Sequence, residues 1–313
     1  MLGVLQGFAT IAAVVALGWV LAHVGVLGPA GQLFLSKLAF YVASPALLLT
    51  VMSRTSFEAI WSANLAASAV SVVVTSAAYL LVARLRWRPR LGDAVIGSLC
   101  SSYVNAGNLG LPIALYVLGD ISLIAPTLLL QLLVLTPLAI ALLDADQRGD
   151  RPSLAAGFRS VVRTPVTVAA VAGLGLSLVA DHLPKAGLDA VMAPVTMVGN
   201  MAVPAMLIAF GISLRRGPKP GAEGTTPHVA TVVGLKLAAQ PLVAVGFGYA
   251  AVGLRGHALF AAAVTAALPT AQNVFVYADT HRRSTILARD AIFVSTSLSV
   301  PVILLLALVF RGV

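Results

Sequence analysis

Apolar residues occur along this chain in long runs, not in the alternating pattern of a half-buried strand. A helix needs about 20 predominantly apolar residues to cross the hydrocarbon core of a bilayer. Ten runs reach or approach that length, and charges, polar stretches or Pro/Gly clusters separate them. The pattern therefore predicts an all-α polytopic membrane protein with ten transmembrane helices. These helices cover residues 3–25, 34–53, 63–84, 93–118, 121–143, 164–182, 189–214, 228–253, 257–279 and 285–310.

The composition excludes a soluble globular fold. Of the 313 residues, 59% are hydrophobic and only 10% are charged, and the mean hydropathy is +0.97. Such a chain has too little polar surface to fold in water, so the lipid bilayer is its expected surroundings. The net charge of +9 could indicate nucleic-acid binding, but the basic residues lie in short loops between apolar runs. Neither a basic domain nor zinc-type spacing accompanies them, so no nucleic-acid partner is predicted.

The basic residues divide unequally between the two sides of the predicted helices. If the ten helices alternate in direction, fourteen Arg and Lys residues lie on one side and four on the other. Cytoplasmic loops carry the excess of Lys and Arg, so both termini are predicted to lie outside. The first run lacks a charged n-region and a clear cleavage site, so it is predicted to be retained as a helix. We expect a multi-pass protein of the plasma membrane, which is the inner membrane in bacteria.

Two pairs of segments indicate an internal repeat. Pro45 of the second predicted helix corresponds to Pro204 of the seventh, and the segment Asn105–Asn108 of the fourth corresponds to Thr270–Asn273 of the ninth. Five helices stand on each side of the longest polar stretch, and an odd number per half places homologous halves in opposite orientations. The sequence thus predicts two inverted five-helix repeats. The predicted units are residues 1–143, a short cytoplasmic linker at 144–163, and residues 164–313.

The fourth and ninth predicted helices contain residues that interrupt a helix. The fourth carries the sequence VNAGNLGLP and the ninth carries ALPTAQNVF. Proline removes a backbone N–H, glycine weakens a helix, and the freed polar groups must face protein or a water-filled cavity. Packing or a simple kink explains any single Gly or Pro, but carboxamides at membrane depth need polar partners. Broken helices at matching places in two inverted halves indicate a transporter site, where helix N-termini favour anions. The candidate residues are Asn105, Asn108, Pro112, Pro269, Gln272 and Asn273.

A few other polar residues lie within predicted helices. Lys236 is the basic residue deepest in a helix, and it either snorkels to the interface or presents its charge to an anionic substrate in the cavity. Gln131 and Gln240 are further candidates, although a helix–helix hydrogen bond explains them equally well. No acidic residue lies at the centre of a predicted helix. Asp290 is the only fair candidate for proton coupling, and an ion pair with Arg289 is the alternative.

Enzyme signatures do not occur in the sequence. Neither G-x-S-x-G nor H-E-x-x-H is present, and the five histidines lie near the ends of different predicted helices. The sequence therefore predicts no enzymatic activity, no cofactor and no metal site.

At these motifs the chain resembles the auxin efflux carrier family, which includes the plant PIN carriers and bacterial dicarboxylate permeases. The resemblance covers essentially the whole chain, and its most specific parts are Asn105–Pro112, Ala267–Pro269 and Ser295–Ser299 followed by Pro301. It implies ten helices in two inverted repeats, a scaffold and a transport domain, a crossover of broken helices four and nine, elevator-type movement and, in plant members, a homodimer. It also implies that Asn105, Pro112 and Pro269 occupy crossover positions and that Gln131 lines the pocket. Two departures are Val104, where the plant pattern has proline, and the absence of the long hydrophilic central loop, which together suggest a compact prokaryotic member.

Together these features predict a secondary carrier for a small organic anion, such as a monocarboxylate or dicarboxylate. In this hypothesis Asn105, Asn108, Gln272 and Asn273 supply hydrogen bonds, and Lys236 or helix N-termini supply positive potential. The resemblance also implies that helices one, two, six and seven form the scaffold. A passive anion channel and a transport-inactive membrane sensor are the alternatives.

Overall fold

The computed structural model describes residues 2–54, 62–149, 152–161, 164–179, 184–216, 221 and 225–310. Within these ranges the chain forms helices joined by short turns, and extended backbone pairs only at an isolated bridge between Val104 and Thr270. The predicted all-α class is therefore confirmed for the described residues. The helices are α1 (Leu2–His23), α2 (Pro29–Met52), α3 (Ala63–Arg86), α4 (Leu91–Ser102), α5 (Ala106–Leu118), α6 (Ile121–Arg148), α7 (Leu154–Val161), α8 (Pro165–Val179), α9 (Lys185–Gly199), α10 (Ala202–Arg216), α11 (Thr226–Ala250), α12 (Gly256–Ala266), α13 (Asn273–His281) and α14 (Thr285–Val309).

Six helical stretches of the described chain are long and apolar enough to cross a membrane. Five of them are α2, α3, α6, α11 and α14, and the sixth is Gly187–Ile212, which α9 and α10 form together. Four shorter apolar helices stand at the other predicted positions, and they are Ala9–His23, Ala106–Leu118, Pro165–Val179 and Gly256–Ala266. The predicted fourth and ninth helices are not continuous, because the chain leaves the helical conformation partway along each.

The helices pack in two groups. In the first group α1 packs against α10, and the second half of α2 packs against α8 and α9. In the second group α3 packs against α4, α11 and α12, while α14 contacts α4, α11, α12 and α13. Glycines permit the closest approach in the first group: a Cβ at Gly211 would overlap the carbonyl oxygen of Val15, and one at Gly18 would overlap that of Ile208. Close backbone contact of this kind is the usual way in which membrane helices associate.

Prolines inside the helices follow widened turns. Four π-helical segments each end two residues before a proline, and they are Ala39–Ala43, Ala106–Gly110, Gln131–Leu135 and Leu235–Ala239. The prolines that follow are Pro45, Pro112, Pro137 and Pro241. A proline has no N–H to donate, and its ring collides with the carbonyl one turn earlier in a regular helix. The wider turn accommodates the ring, so the helices continue past these prolines instead of ending there.

The polar stretch predicted as a linker, residues 144–163, is partly helical. Its first residues extend α6 to Arg148, and α7 occupies most of the remainder. Helix α7 packs back on α6, where a Cβ at Gly157 would overlap the carbonyl oxygen of Pro137. The prediction missed this helix because it was based on apolar runs long enough to cross a membrane, and α7 has only eight residues.

Polar contacts join the ends of α4, α6 and α13. The loop between α13 and α14 is tightly turned, since Arg282 and Ser284 both have positive φ, at 52° and 44°. Three contacts fix this loop, and they are Arg283 Nε to Asp146 Oδ2 at 2.7 Å, His281 Nε2 to Asp144 Oδ1 at 3.0 Å, and Ser284 Oγ to Asp93 Oδ1 at 2.8 Å. The second group of helices is thereby closed at one end by side chains from three helices.

Candidate substrate site at the helix crossover

Two interrupted helices meet at the centre of the molecule. Helix α4 ends at Ser102 and α12 ends at Ala266, and each is followed by a short non-helical segment before the chain resumes as α5 or α13. The two segments pair in antiparallel fashion: the Asn105 amide donates to the Pro269 carbonyl at 2.8 Å, and the Ala271 amide donates to the Tyr103 carbonyl at 3.0 Å. The backbone groups that the breaks release are therefore partly satisfied by each other, as burial at membrane depth requires.

Side chains from neighbouring helices satisfy other exposed backbone groups. Gln131 Nε2, on α6, donates to the Val104 carbonyl at 2.8 Å. Ser295 Oγ, on α14, accepts from the Thr270 amide at 3.1 Å. Each break is thus supported by a polar side chain from the next long helix along the chain, one acting as donor and the other as acceptor.

Thr270 connects the two breaks directly. Its Oγ1 donates to the Cys100 carbonyl at 2.6 Å, and its side chain is fully buried. That carbonyl is among the last four of α4, which lack partners within the helix. The hydroxyl of one broken helix therefore caps the carboxyl end of the other.

Lys236 also supports the crossover and does not line its cavities. The residue is fully buried, and its Nζ donates to Gln240 Oε1 and to the Ala266 carbonyl, each at 2.7 Å. Gln240 Nε2 in turn donates to the Ser102 carbonyl at 2.9 Å. Lys236 and Gln240 thus bind the carboxyl ends of α12 and α4, where the helix dipole favours a cation. This differs from both sequence interpretations, since the ammonium neither faces the cavity nor reaches the interface.

The carboxamides predicted for the site surround two small adjoining cavities. Asn105, Asn108, Gln131 and Asn273 line one cavity of about 90 Å³. Asn108 and Asn273 also line the second, of about 180 Å³, together with Gln272. Asn108 Nδ2 donates to Gln272 Oε1 at 3.1 Å, which joins the two broken helices on the cavity side. Five of the predicted residues are therefore brought together.

Asn105 has a donor without a partner. Its Oδ1 accepts from the Asn108 amide at 3.1 Å and caps the first turn of α5. Its Nδ2 is buried and has no hydrogen-bond partner among the described residues, although Asn105 is only 3% exposed and lines the 90 Å³ cavity. A buried N–H without an acceptor costs about 1–3 kcal/mol. A ligand with an acceptor oxygen in the cavity would recover that cost.

The two prolines of the prediction serve the backbone. Pro269 lies in the break between α12 and α13, where its carbonyl accepts a hydrogen bond from the Asn105 amide. Pro112 is buried in α5 between two π-helical segments and is not among the residues that line the described cavities. Pro269 therefore belongs to a break, Pro112 lies within the helix that follows the other break, and the carboxamides form the cavity walls.

Aromatic and hydroxyl side chains of the site were missed by the sequence analysis. Phe40, Tyr103, Thr136 and Tyr277 line the 90 Å³ cavity, and Tyr103 Oη lies 2.8 Å from Thr136 Oγ1. Tyr277 could have been found, because it stands four residues after Asn273 and so shares its helix face. Phe40 carries no such signal, since a phenylalanine in an apolar helix is indistinguishable from one that faces lipid.

Acidic side chains do not contribute to these walls. No Asp or Glu lines either cavity, or a third of about 340 Å³ beside them, among the described residues. The candidate Asp290 lies apart: its Oδ1 accepts from Arg289 at 2.8 Å and its Oδ2 from the Gly221 amide at 3.0 Å and Thr225 Oγ1 at 3.3 Å. Asp290 therefore forms the ion pair that was the alternative to proton coupling. The cavity walls offer hydrogen-bond donors without a competing negative charge.

The sequence matches the family model of the membrane transport proteins over residues 4–307, which is nearly the whole chain. This family includes the auxin efflux carriers.

The chain belongs to the membrane transport protein family.

The resemblance inferred from the fourth, ninth and tenth predicted helices is thereby confirmed. Membership makes the chain a multi-pass membrane transporter, and it fits the apolar helices and the paired breaks described above. A search of curated proteins found no significant match. Within the membrane transport protein family, the substrate and the mode of movement of this chain therefore have to be argued from its own site.

Proposed function

We propose that this protein is a secondary carrier for a small organic anion, a monocarboxylate or dicarboxylate, and that the crossover cavity binds the carboxylate. The observation that carries the proposal is the buried, unpartnered Nδ2 of Asn105 in a cavity whose described lining contains no acid. Carboxylates accept several hydrogen bonds, and a charged acceptor strengthens each of them about twofold over a neutral one. Asn108 and Asn273 would be the further donors.

The movement that we propose is of the elevator type. The helices pack in two groups, α1, α2 and α8–α10 in one and α3, α4, α6 and α11–α14 in the other. Ten transmembrane helices in inverted repeats, with both termini outside the plasma membrane, remain part of the proposal, as does a homodimer. The positions of Gln131 and Ser295 support the inverted repeat, because each half supplies one polar side chain to its break from its last long helix.

The proposal is tested by counterflow in proteoliposomes. Proteoliposomes that contain the purified protein are loaded with unlabelled malonate, malate or indole-3-acetate. Uptake of the same labelled compound from outside is then followed. A carrier accelerates uptake when substrate is present on the opposite side, and a passive channel does not. Equal uptake with and without internal substrate would favour the channel, and no uptake of any carboxylate would contradict the proposal.

Asn105 provides the residue-level test. Asn105→Asp keeps the oxygen that caps α5 and replaces the Nδ2 donor by an acceptor, so we expect exchange to be lost while folding and membrane insertion persist. Asn105→Ala removes both groups and should also abolish exchange. Asn200→Ala is the matched control, because Asn200 is exposed and lies outside the described cavities. Undiminished exchange by Asn105→Asp would refute the assignment.

A further inference from the structure

A third cavity adjoins the crossover cavity. It has a volume of about 340 Å³ and shares Phe40, Thr136, Asn273 and Tyr277 with the 90 Å³ cavity. Its other wall belongs to α2 and includes Lys37. Phe40 stands one helical turn after Lys37 and lines all three cavities, so it lies where they meet. We call this larger cavity the antechamber, because it lies beside the cavity that the carboxamides line.

Lys37 is the charged residue of this wall. Among the described residues that line the three cavities, it is the sole Lys, Arg, Asp or Glu. Its side chain is exposed, and it forms no ion pair or hydrogen bond within the described part of the chain. The other ionisable groups on these walls are the phenols of Tyr41, Tyr103 and Tyr277. The positive charge is therefore not neutralised by a neighbouring carboxylate.

The antechamber lies toward one identifiable end of the helices. Ile140, on its wall, is one turn before Asp144, and Tyr277 is one turn before His281. The pair Asp144–His281 ties α6 to α13 at the end that also carries the Arg283–Asp146 ion pair. Lys37 thus faces the side that the arginine distribution predicts to be cytoplasmic.

We propose that Lys37 is an electrostatic docking residue, which receives the carboxylate of an organic anion in the antechamber before the anion passes Phe40 to the crossover amides. This inference rests on the proposed function and adds a residue that acts from one side of the membrane only. A cation beside a cavity with low-dielectric walls concentrates anions there and raises their rate of entry. A lysine that only snorkels to lipid headgroups would have no such effect on a solute.

The test compares substrate affinity from the two sides. Counterflow of labelled malonate, malate or indole-3-acetate is measured in oriented proteoliposomes for wild type, Lys37→Gln, Lys37→Arg and Arg86→Gln. Arg86 is the matched control, since it is exposed on α3, lines none of the three cavities, and is one of the fourteen basic residues on the same predicted side. Thermal unfolding of each purified variant reports whether it is folded.

We expect Lys37→Gln to raise KM from the Lys37 side roughly four- to seventeenfold, as for loss of a unit charge about 10 Å away at an effective dielectric constant of about 20–40. The maximal rate and the KM from the opposite side should not change, and Lys37→Arg should resemble wild type. The difference should shrink at about 1 M salt, where the Debye length falls to about 3 Å.

Three results would overturn the inference. An unchanged KM in Lys37→Gln would show that the lysine does not act on the substrate, and an equal shift in Arg86→Gln would reduce the effect to general surface charge. A lower maximal rate with unchanged KM would assign Lys37 to conformational change instead of docking. Failure of the wild type to exchange any of the three anions would contradict the proposed function itself, which is a separate outcome.

Discussion

Thr270→Val tests the claim that side chains from one broken helix cap the other. The substitution preserves shape and removes one hydroxyl, whose Oγ1 donates to the Cys100 carbonyl at 2.6 Å. Thr270 is fully buried, so water cannot replace the lost donor. Leaving a buried carbonyl without its partner costs about 1–3 kcal/mol, and we expect Thr270→Val to lower the free energy of unfolding by that amount.

Thr75→Val is the matched control with the opposite expectation. Thr75 is 1% exposed on α3, and its Oγ1 has no hydrogen-bond partner in the described part of the chain. Burying an unpaired hydroxyl costs about 1–3 kcal/mol, so replacing it by a methyl group should leave stability unchanged or increase it. The same chemical change is therefore expected to lower stability at Thr270 and not to lower it at Thr75.

Thermal unfolding of the purified variants in one detergent measures the difference. In soluble domains of 150–250 residues, 1 kcal/mol shifts Tm by about 2–4 °C, so the two variants should be clearly separated. A Tm for Thr270→Val equal to or above that of wild type would refute the capping argument. Equal decreases of Tm in Thr270→Val and Thr75→Val would show that both positions require threonine for packing, whether or not the hydroxyl is hydrogen-bonded.

Two further predictions concern helix packing and the closed end of the second group. Gly211→Ala should destabilise the protein by about 1–3 kcal/mol, because the added Cβ overpacks against the Val15 carbonyl. A Cβ at Gly175 has no described atom within 4 Å, so Gly175→Ala should stabilise the protein by about 0.5–1 kcal/mol through helix propensity. Thermal unfolding in detergent compares the two variants, and equal effects would contradict the packing argument. A double-mutant cycle of Arg283→Ala and Asp146→Ala should give a coupling of about 1–2 kcal/mol for this 2.7 Å ion pair, and additive losses would show that the two side chains do not interact.

The breaks could be predicted from the sequence because their causes are local. Pro269 lacks a donor wherever the chain folds, and Asn105 within an apolar run needs polar partners in any arrangement. Those two clusters contain four of the five carboxamides that line the crossover cavities, and Gln131 is the fifth. The helix ends were less predictable, since α2 begins several residues before the predicted position and α7 was absent from the prediction.

The hydrogen-bond partner of the Lys236 ammonium could not be predicted, because it belongs to a different helix. Its ammonium binds the Ala266 carbonyl, which is available only because α12 ends there and packs beside α11. Nothing in the sequence around Lys236 specifies that neighbour. The same holds for Phe40, whose position between three cavities follows from the packing of α2 against the crossover.

The π-helical segments set the direction in which the supporting side chains point. Gln131 and Lys236 both lie within such segments, and both reach carbonyls of the crossover. Removing one residue from either segment would restore regular α-helical pitch, and the ring of the proline that follows would then collide with the carbonyl one turn earlier. The stretch would remain as apolar as before, yet the helix would have to distort at the proline, which would displace the amide or the ammonium from its carbonyl. In these helices the number of residues is constrained more tightly than their identity, so we expect exchanges of one aliphatic residue for another to be tolerated where a single deletion is not.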